Sequence, residues 1–332
     1  MPAPRDPSTL LAAARLYYLD GKSQHDIAAE LGTSRSNVSR MLTEAQRQGI
    51  VEIRVHDPAG RSRDLENTLR KRFGLHDVRV AARGAGRLGR AEEQVGTLAA
   101  QLLVDSLADS MTIGMSWGHG LQSMVWATPQ TGDYSLQVVQ LVGGMSSISN
   151  EISGHELVRE LASRLGASYT FLHSPATFST TIARDTMLAE PSVAQALALA
   201  RQADLAFVGI GTPSHGSSAA ILSSLDLSAD EEKEFWAADP VGDVAARYFT
   251  ATGAPVLGAV EDHVLGISLA ELVEIPNVVG VASGRAKAAG VLGALRGHLI
   301  DSLVCDESLA RCVLSDDAEL TQHTSPTKGV KR

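Results

Sequence analysis

The stretch from Lys22 to Arg54 limits what this chain can fold into more than any other part of it. Ile27, Ala28 and Leu31 recur at the spacing of one helix face, and Val38, Met41, Leu42 and Ala45 at that of a second. Gly32 between them is suited to the left-handed conformation of a tight turn. Thr33 is the expected N-cap of the second helix, since its hydroxyl can meet the free amides of the first turn. Gly49 ends that helix, and Val51, Ile53 and Val55 alternate as a strand that could form a wing. The layout is a helix-turn-helix, whose second helix reads the major groove of duplex DNA.

The side chains left pointing outward at the start of the second helix are Ser34, Arg35, Ser36, Asn37, Ser39 and Arg40, and these are the candidate DNA-binding residues. Arg can bond guanine bidentately, Asn can bond adenine, and Ser can touch bases or phosphates. A small helical hairpin with a solvated arginine face is the plainer alternative. It leaves unexplained why cap, glycine turn, apolar spacing and polar run agree. Charge points the same way. Residues 1–72 hold twelve basic against nine acidic side chains, a net +3, which leaves −12 on the rest of a chain whose total is −9. A basic head on an acidic body suits a DNA reader joined to a separate sensor.

A chain of 332 residues has room for a second, larger domain. The expected organisation is a helix-turn-helix domain over 1–57, a linker helix over 58–75, an effector-binding and oligomerisation domain over 76–315, and a flexible tail over 316–332. In the first of these, 8–19 reads as a leading helix with Leu11, Ala14 and Tyr18 inward. The linker helix over 64–73 carries Leu65, Leu69 and Phe73 at helical spacing and is closed by Gly74. Pairing with its counterpart in a dimer is the favoured role for it, ahead of an approach to DNA phosphates. No apolar run approaches the roughly 20 residues that span a bilayer, and the N-terminus lacks a signal-peptide core. A cytoplasmic protein without membrane association is therefore expected. Cys305 and Cys312 are the only cysteines, which suggests neither a disulfide framework nor a thiolate metal site.

From residue 78 short apolar runs alternate with helical stretches. Strands are expected over 78–82, 111–115, 137–142, 168–172, 205–210, 256–260 and 278–282, with helices such as 92–107, 151–165, 193–201 and 285–295 between them. This alternation implies an α/β domain with a mostly parallel sheet covered on both faces. Ligands of such sheets bind beyond the carboxyl ends of the strands. Glycine-rich loops follow several of them: 114–120 with Ser116, Trp117, Gly118, His119 and Gly120; 143–147 with Gly143 and Gly144; 209–212 with Gly211; and 283–287 with Lys287. Bare amides in such loops suit an anion or sugar hydroxyls.

Two motifs invite other readings. Gly114-x-Ser116-x-Gly118 fits the nucleophile elbow of hydrolases, with His155, His173, His215, His263 and His298 downstream as bases. The same residues are more simply a ligand-binding turn with a stacking tryptophan. Gly84-x-Gly86-x-x-Gly89 fits a dinucleotide fingerprint, but the acid at the end of a following strand is missing. His155-Glu156-x-x-Arg159 lacks the second histidine of a zinc site. No metal and no cofactor are expected.

Taken in order, these segments resemble the SorC family of sugar-responsive bacterial regulators, sometimes grouped with DeoR-type proteins. The resemblance runs from about Leu10 to Leu314. It rests on Asp26-Ile27-Ala28 through Ser39-Arg40-Met41-Leu42, on Gly114-Met115-Ser116-Trp117-Gly118, and on Val138-Val139-Gln140-Leu141-Val142-Gly143-Gly144. It rests further on the run from Asp204 to Gly211, on Val241-Gly242-Asp243, on the run from Ala282 to Ala289, and on Asp306-Glu307-Ser308-Leu309-Ala310. It implies an all-α winged reader followed by a domain like that of sugar-phosphate isomerases and glucosamine-phosphate deaminases, without catalysis. It also implies a homodimer or homotetramer on a partly palindromic double-stranded operator, controlled by a carbohydrate effector. On this chain, Ser116 to Gly120 would hold the ligand's phosphate or polar end, Asp243 would accept from sugar hydroxyls, and Lys287 would meet a phosphate or carbonyl. Similar proteins often carry Arg-Thr where this chain has His119-Gly120. A free sugar or polyol, and a phosphate held by amides and Lys287, both stay open. The expected function is that of a sequence-specific transcriptional regulator under a sugar, polyol or sugar-phosphate effector. The alternative is an isomerase- or hydrolase-type enzyme with a DNA-binding appendage.

Overall fold

The first 55 residues and the remainder form two separate units. The computed structural model describes residues 7–51, 60–82, 91–132, 134–145 and 154–324. In the first unit, α1 (Pro7–Tyr18), α2 (Gln24–Glu30) and α3 (Arg35–Arg47) bury one shared cluster. Ile27 and Ala28 of α2 and Val38, Met41, Leu42 and Ala45 of α3 are its members, as their spacing requires. The face α1 turns inward is Leu10, Ala13 and Ala14, whereas Leu11 and Tyr18 are exposed. Ala14 of the expected inner set is buried, while Leu10 and Ala13 take the places expected for Leu11 and Tyr18. Leu10 with Ala13 and Ala14 makes the i, i+3, i+4 stripe and lets the small alanines bring α1 close to its neighbours. Gly32 adopts φ +62 in the turn between α2 and α3. Of the expected wing, Ile53 and Val55 lie outside the described residues.

In the second unit, α4 (Arg63–Phe73) leads into β1 (Asp77–Ala81), followed by α5 (Ala91–Ser106), β2 (Thr112–Met115), α6 (His119–Ala127), β3 (Gln137–Gln140), α7 (Gly154–Leu165) and β4 (Ser168–Thr170). After α8 (Thr181–Leu188) and α9 (Pro191–Ala200) come β5 (Leu205–Gly211), α10 (Gly216–Ser224), α11 (Ala229–Ala237), β6 (Gly242–Val244) and β7 (Arg247–Phe249). The short α12 (Ala259–Asp262) and α13 (Leu269–Leu272) precede β8 (Val278–Ala282), a 3-10 turn (Arg285–Lys287), α14 (Ala288–Arg296), β9 (Ser302–Asp306) and α15 (Glu307–Thr324). Strands pair in the order β1-β9-β8-β5-β2-β3-β4, all parallel. The β6–β7 hairpin joins the end of β5 antiparallel.

Both faces of the sheet are buried. Along β5, Ala206, Val208 and Ile210 enter one core cluster while Leu205 and Phe207 enter the other. This is the two-residue period of a strand covered on each side, so the apolar run is continuous. Three departures from the sequence reading follow. The run 256–260 is no strand, since Gly258 at φ +110 starts α12 within it. The place beside β8 belongs to β9, whose five residues are all buried. And α15 runs to Thr324, nine residues into the expected flexible tail. Within that stretch Asp317 accepts from Arg72 and Arg296, each at 2.7 Å, which ties the helix to α4 and α14.

The helix expected to act as a linker packs on this sheet unit. Leu69 is fully buried in the larger core, and the buried carboxylate of Glu66 receives Arg61 at 2.7 Å and the Val80 amide at 3.0 Å. A buried carboxylate needs such donors. Gly74 closes α4 in the left-handed conformation at φ +70. The glycine-rich stretch 84–89 lies outside the described residues.

Candidate functional site

At the start of α3, Ser34 rather than Thr33 is the N-cap: its hydroxyl accepts from the Asn37 amide at 3.2 Å. The Asn37 side chain donates to the Thr33 hydroxyl at 2.8 Å, which holds it against the turn. Ser34, Arg35, Ser36, Ser39 and Arg40 are exposed, and Asn37 is half-buried. Arg40 reaches back to the Ser36 hydroxyl at 3.4 Å, a long and weak bond. All six candidates therefore sit on or beside one solvent-facing ridge, with Asn37 and Ser34 already engaged in local bonds.

The second site forms where the sheet reverses its strand order. From β2 the chain proceeds outward through β3 and β4, then returns to the other side of β2 with β5 and continues through β8. Loops after β2, β5 and β8 therefore open on the same edge, at a topological switch point. They enclose a cavity of about 240 Å³. Ser116, Trp117, Gly118, His119, Gly211, Asp243 and Lys287 line it, together with Thr212, His215, Ser217, Ser218, Ala245, Ala246 and Ser283. Of the expected effector residues, Gly120, Gly143 and Gly144 are not among the described residues that line it. Gly143 packs its Cα against the Pro175 backbone, and Gly144 packs against His155. Gly143 contributes indirectly: its carbonyl accepts from the Trp117 indole at 3.2 Å, which fixes the ring at the cavity wall.

Each wall has a local cause. Ser116 follows β2 with its Oγ accepting from the Gly209 amide at 3.3 Å. Among the described residues, no histidine hydrogen-bonds that Oγ. α6 begins at His119, so its free first-turn amides and positive dipole end lie at this edge. The loop before Lys287 is anchored by buried Asp306, whose carboxylate accepts from the amides of Gly284 at 2.5 Å and Ser308 at 2.8 Å. Asp243 stands on β6, and the turn after it, Ala245-Ala246, has both residues at positive φ, +51 and +66. Two left-handed positions match the tight hairpin turn that usually takes Asn-Gly, and no glycine marks it here.

Charge in the cavity is sparse and poorly solvated. Asp243 is only 6% exposed, and burial pushes its carboxyl up to about 6, against the opposing hydrogen bond from Ser218, the charge of Lys287 and the Ala246 amide. Lys287 is held below the usual lysine range, chiefly by burial, with Asp243 and Glu92 pulling the other way. One acceptor and one cation thus face a small polar space. Sequence reading missed Ser217, Ser218, Ala245 and Ala246. A Ser-Ser pair and an Ala-Ala pair carry no turn or ligand signal; the tertiary fold brings Ser218 to Asp243, and the left-handed turn places its chain neighbours Ala245 and Ala246.

Comparisons with known proteins agree with this two-part organisation. Residues 57–315 match the family described as "Putative sugar-binding domain", and residues 6–62 match the MarR family. The "Sorbitol operon regulator" of Klebsiella pneumoniae is 31% identical, with 93% of this chain and 98% of that protein covered. The "Deoxyribonucleoside regulator" of Bacillus subtilis is 28% identical, covering 92% of this chain and 97% of its own length. The crystal structure of the full-length sorbitol operon regulator superposes with a TM-score of 0.72 at 28% identity, covering 94% of this chain and 99% of that one.

Proposed function

The chain belongs to the SorC family of sugar-binding transcriptional regulators, and from that premise we propose that its effector occupies the cavity between Asp243 and Lys287. It is a DNA-binding regulator controlled by a sugar-type effector, with operator DNA and a carbohydrate as its partners. The residues of α3 from Ser34 to Arg40 read the operator. In the cavity, Asp243 accepts from effector hydroxyls, and Lys287 with the amides at the start of α6 meets a phosphate, carbonyl or further hydroxyl. The protein acts without turnover, as a homodimer or homotetramer in the cytoplasm. Effector binding then changes how paired recognition helices match half-sites about one helical turn apart. No helix among the described residues is long and apolar enough to cross a membrane.

The observation that carries this reading is the pairing of a buried carboxylate with a desolvated lysine in a cavity of about 240 Å³. A volume below the roughly 300–1,000 Å³ of drug-sized sites suits one small metabolite. The names of the relatives direct the first choice of probes to sorbitol and deoxyribonucleosides. A thermal-shift screen over free and phosphorylated pentoses, hexoses and polyols tests it, because a ligand of the native state raises Tm by mass action. A hit that Asp243→Ala removes supports the assignment. Ligands that stabilise parent and variant alike, or no carbohydrate hit at all, would move the effector elsewhere.

A further inference from the structure

Ser218 lies on α10, is 4% exposed, and donates its hydroxyl to Oδ1 of Asp243. Its main-chain carbonyl accepts from the Tyr248 hydroxyl at 2.6 Å. Tyr248 is itself 1% exposed and stands edge-on to Phe235, with ring centroids 5.1 Å apart. The serine is thus gripped from two points of the β6–β7 hairpin. A second donor, the Ala246 amide, reaches Asp243 from the left-handed turn of that hairpin. Opposite, Gly211 leaves the space open, for a Cβ there would fall on both the Ser218 hydroxyl and the Asp243 carboxylate. A strained turn, a tyrosine clamp and an obligatory glycine all serve one hydrogen bond. Space-filling alone would require none of them.

The chemistry gives that bond a purpose. An ionised carboxyl only accepts, so it reads a hydroxyl by its proton; a protonated one also donates and loses that discrimination. We propose that Ser218 is a positioning residue of the effector site, holding the Asp243 carboxyl ionised and turned so that its remaining lone pairs accept from effector hydroxyls. The inference rests on this cavity being the effector site. Besides Ser218 and the Ala246 amide, the groups around Asp243 are Tyr248 on the same hairpin, Lys287 from the 3-10 turn, and His119 and His215 at the cavity wall. Glu92 acts on Lys287. Burial raises Asp243 to about 6 even with the Ser218 donor in place, so losing that donor moves it further towards the protonated form.

The test needs no effector. Full-length protein carrying ¹³C-labelled aspartate is titrated by NMR, the Asp243 resonance being the one that Asp243→Asn removes. In Ser218→Ala the midpoint is expected to rise by about one pH unit, a tenfold gain in proton affinity. Ser218→Thr, which keeps the hydroxyl, should restore the parent midpoint. An unchanged midpoint in Ser218→Ala overturns the proposal. Should that variant fail to fold, Ser218→Cys, a weak donor of similar size, must shift the midpoint upward, and its failure to do so is equally decisive. A carbohydrate screen without hits would unseat the effector assignment alone, while an unmoved titration would unseat the role of Ser218.

Discussion

The proposed recognition helix and the proposed effector cavity meet opposite demands with the same few residue types. On α3, serines and arginines from Ser34 to Arg40 act from consecutive positions of one helix, mostly exposed and restrained only by local bonds such as Ser34 to the Asn37 amide. Around Asp243, a serine and a lysine come from distant segments and are held below the surface by the fold. An exposed side chain can adapt its position to a large polyanion. A buried one is set in place and in protonation by its neighbours. Changes at the first site should therefore alter function with little loss of stability. At the second, a change should alter stability as well as function.

The sharpest break of this contrast is Asp243→Asn. A carboxyl whose folded pKa, about 6, lies above its ordinary value of 3.8 favours the folded state below 3.8 and loses that contribution as pH rises through 6. The neutral variant is thus expected to be more stable than the parent above pH 6, by an upper limit of about 3 kcal/mol, with the gain fading towards pH 4. Effector response should vanish at the same time. Denaturant midpoints across pH 4–8 check it, and a variant less stable at pH 8 would contradict the burial argument.

Next in size, Arg35→Ala should weaken operator binding by about 1–3 kcal/mol, read by gel shift against competitor DNA, while Tm stays within a degree. A large Tm loss would mean that α3 is not the independent ridge described above. Gly211→Ala forces a Cβ onto Ser218 and Asp243. The expected destabilisation is about 1–3 kcal/mol with loss of effector response, and retention of both would show that the cavity floor yields easily. The smallest effect belongs to Ser34→Ala, where a lost N-cap costs about 1 kcal/mol of stability. Thr33→Ala should cost less, and the reverse order would restore Thr33 as the cap.

Much of the first unit was readable because its information is local. The apolar spacing of Ile27, Ala28, Val38, Met41, Leu42 and Ala45 and the glycine turn predict the helices found. Besides the inner face of α1, the cap slipped by one residue, from Thr33 to Ser34, since the point where the backbone turns into the helix is set by dihedral angles that either hydroxyl residue could adopt. In the second unit the alternation of apolar runs gave the parallel sheet. It also produced a false strand at 256–260 and passed over β9 and the β6–β7 hairpin. The apolar run 302–305 is as short as the false one. What separates them is a strand ladder: β9 has β8 and β1 on either side, whereas 256–260 joins none among the described residues. It has only reached the Val256 amide's bond to the Tyr248 carbonyl when Gly258 turns it into α12.

Taken alone, the amino-acid sequence determined that a helix-turn-helix precedes a buried parallel sheet, because periodicity in hydrophobic residues needs only neighbours along the chain to be read. It also marked the glycine loops that hold Ser116, Gly211 and Lys287, because glycines after apolar runs are conspicuous, while Asp243 stood out only through the family resemblance. The tertiary structure alone decided that Gly143 and Gly144 support the wall rather than line it, that Ser218 meets Asp243, and that an unmarked Ala-Ala turn aims an amide at that carboxylate. The first two relations join residues far apart in the chain, and the third depends on a turn that its residue types do not announce. Their energies arise from burial and hydrogen-bond geometry that exist only once the sheet has brought the loops to one edge.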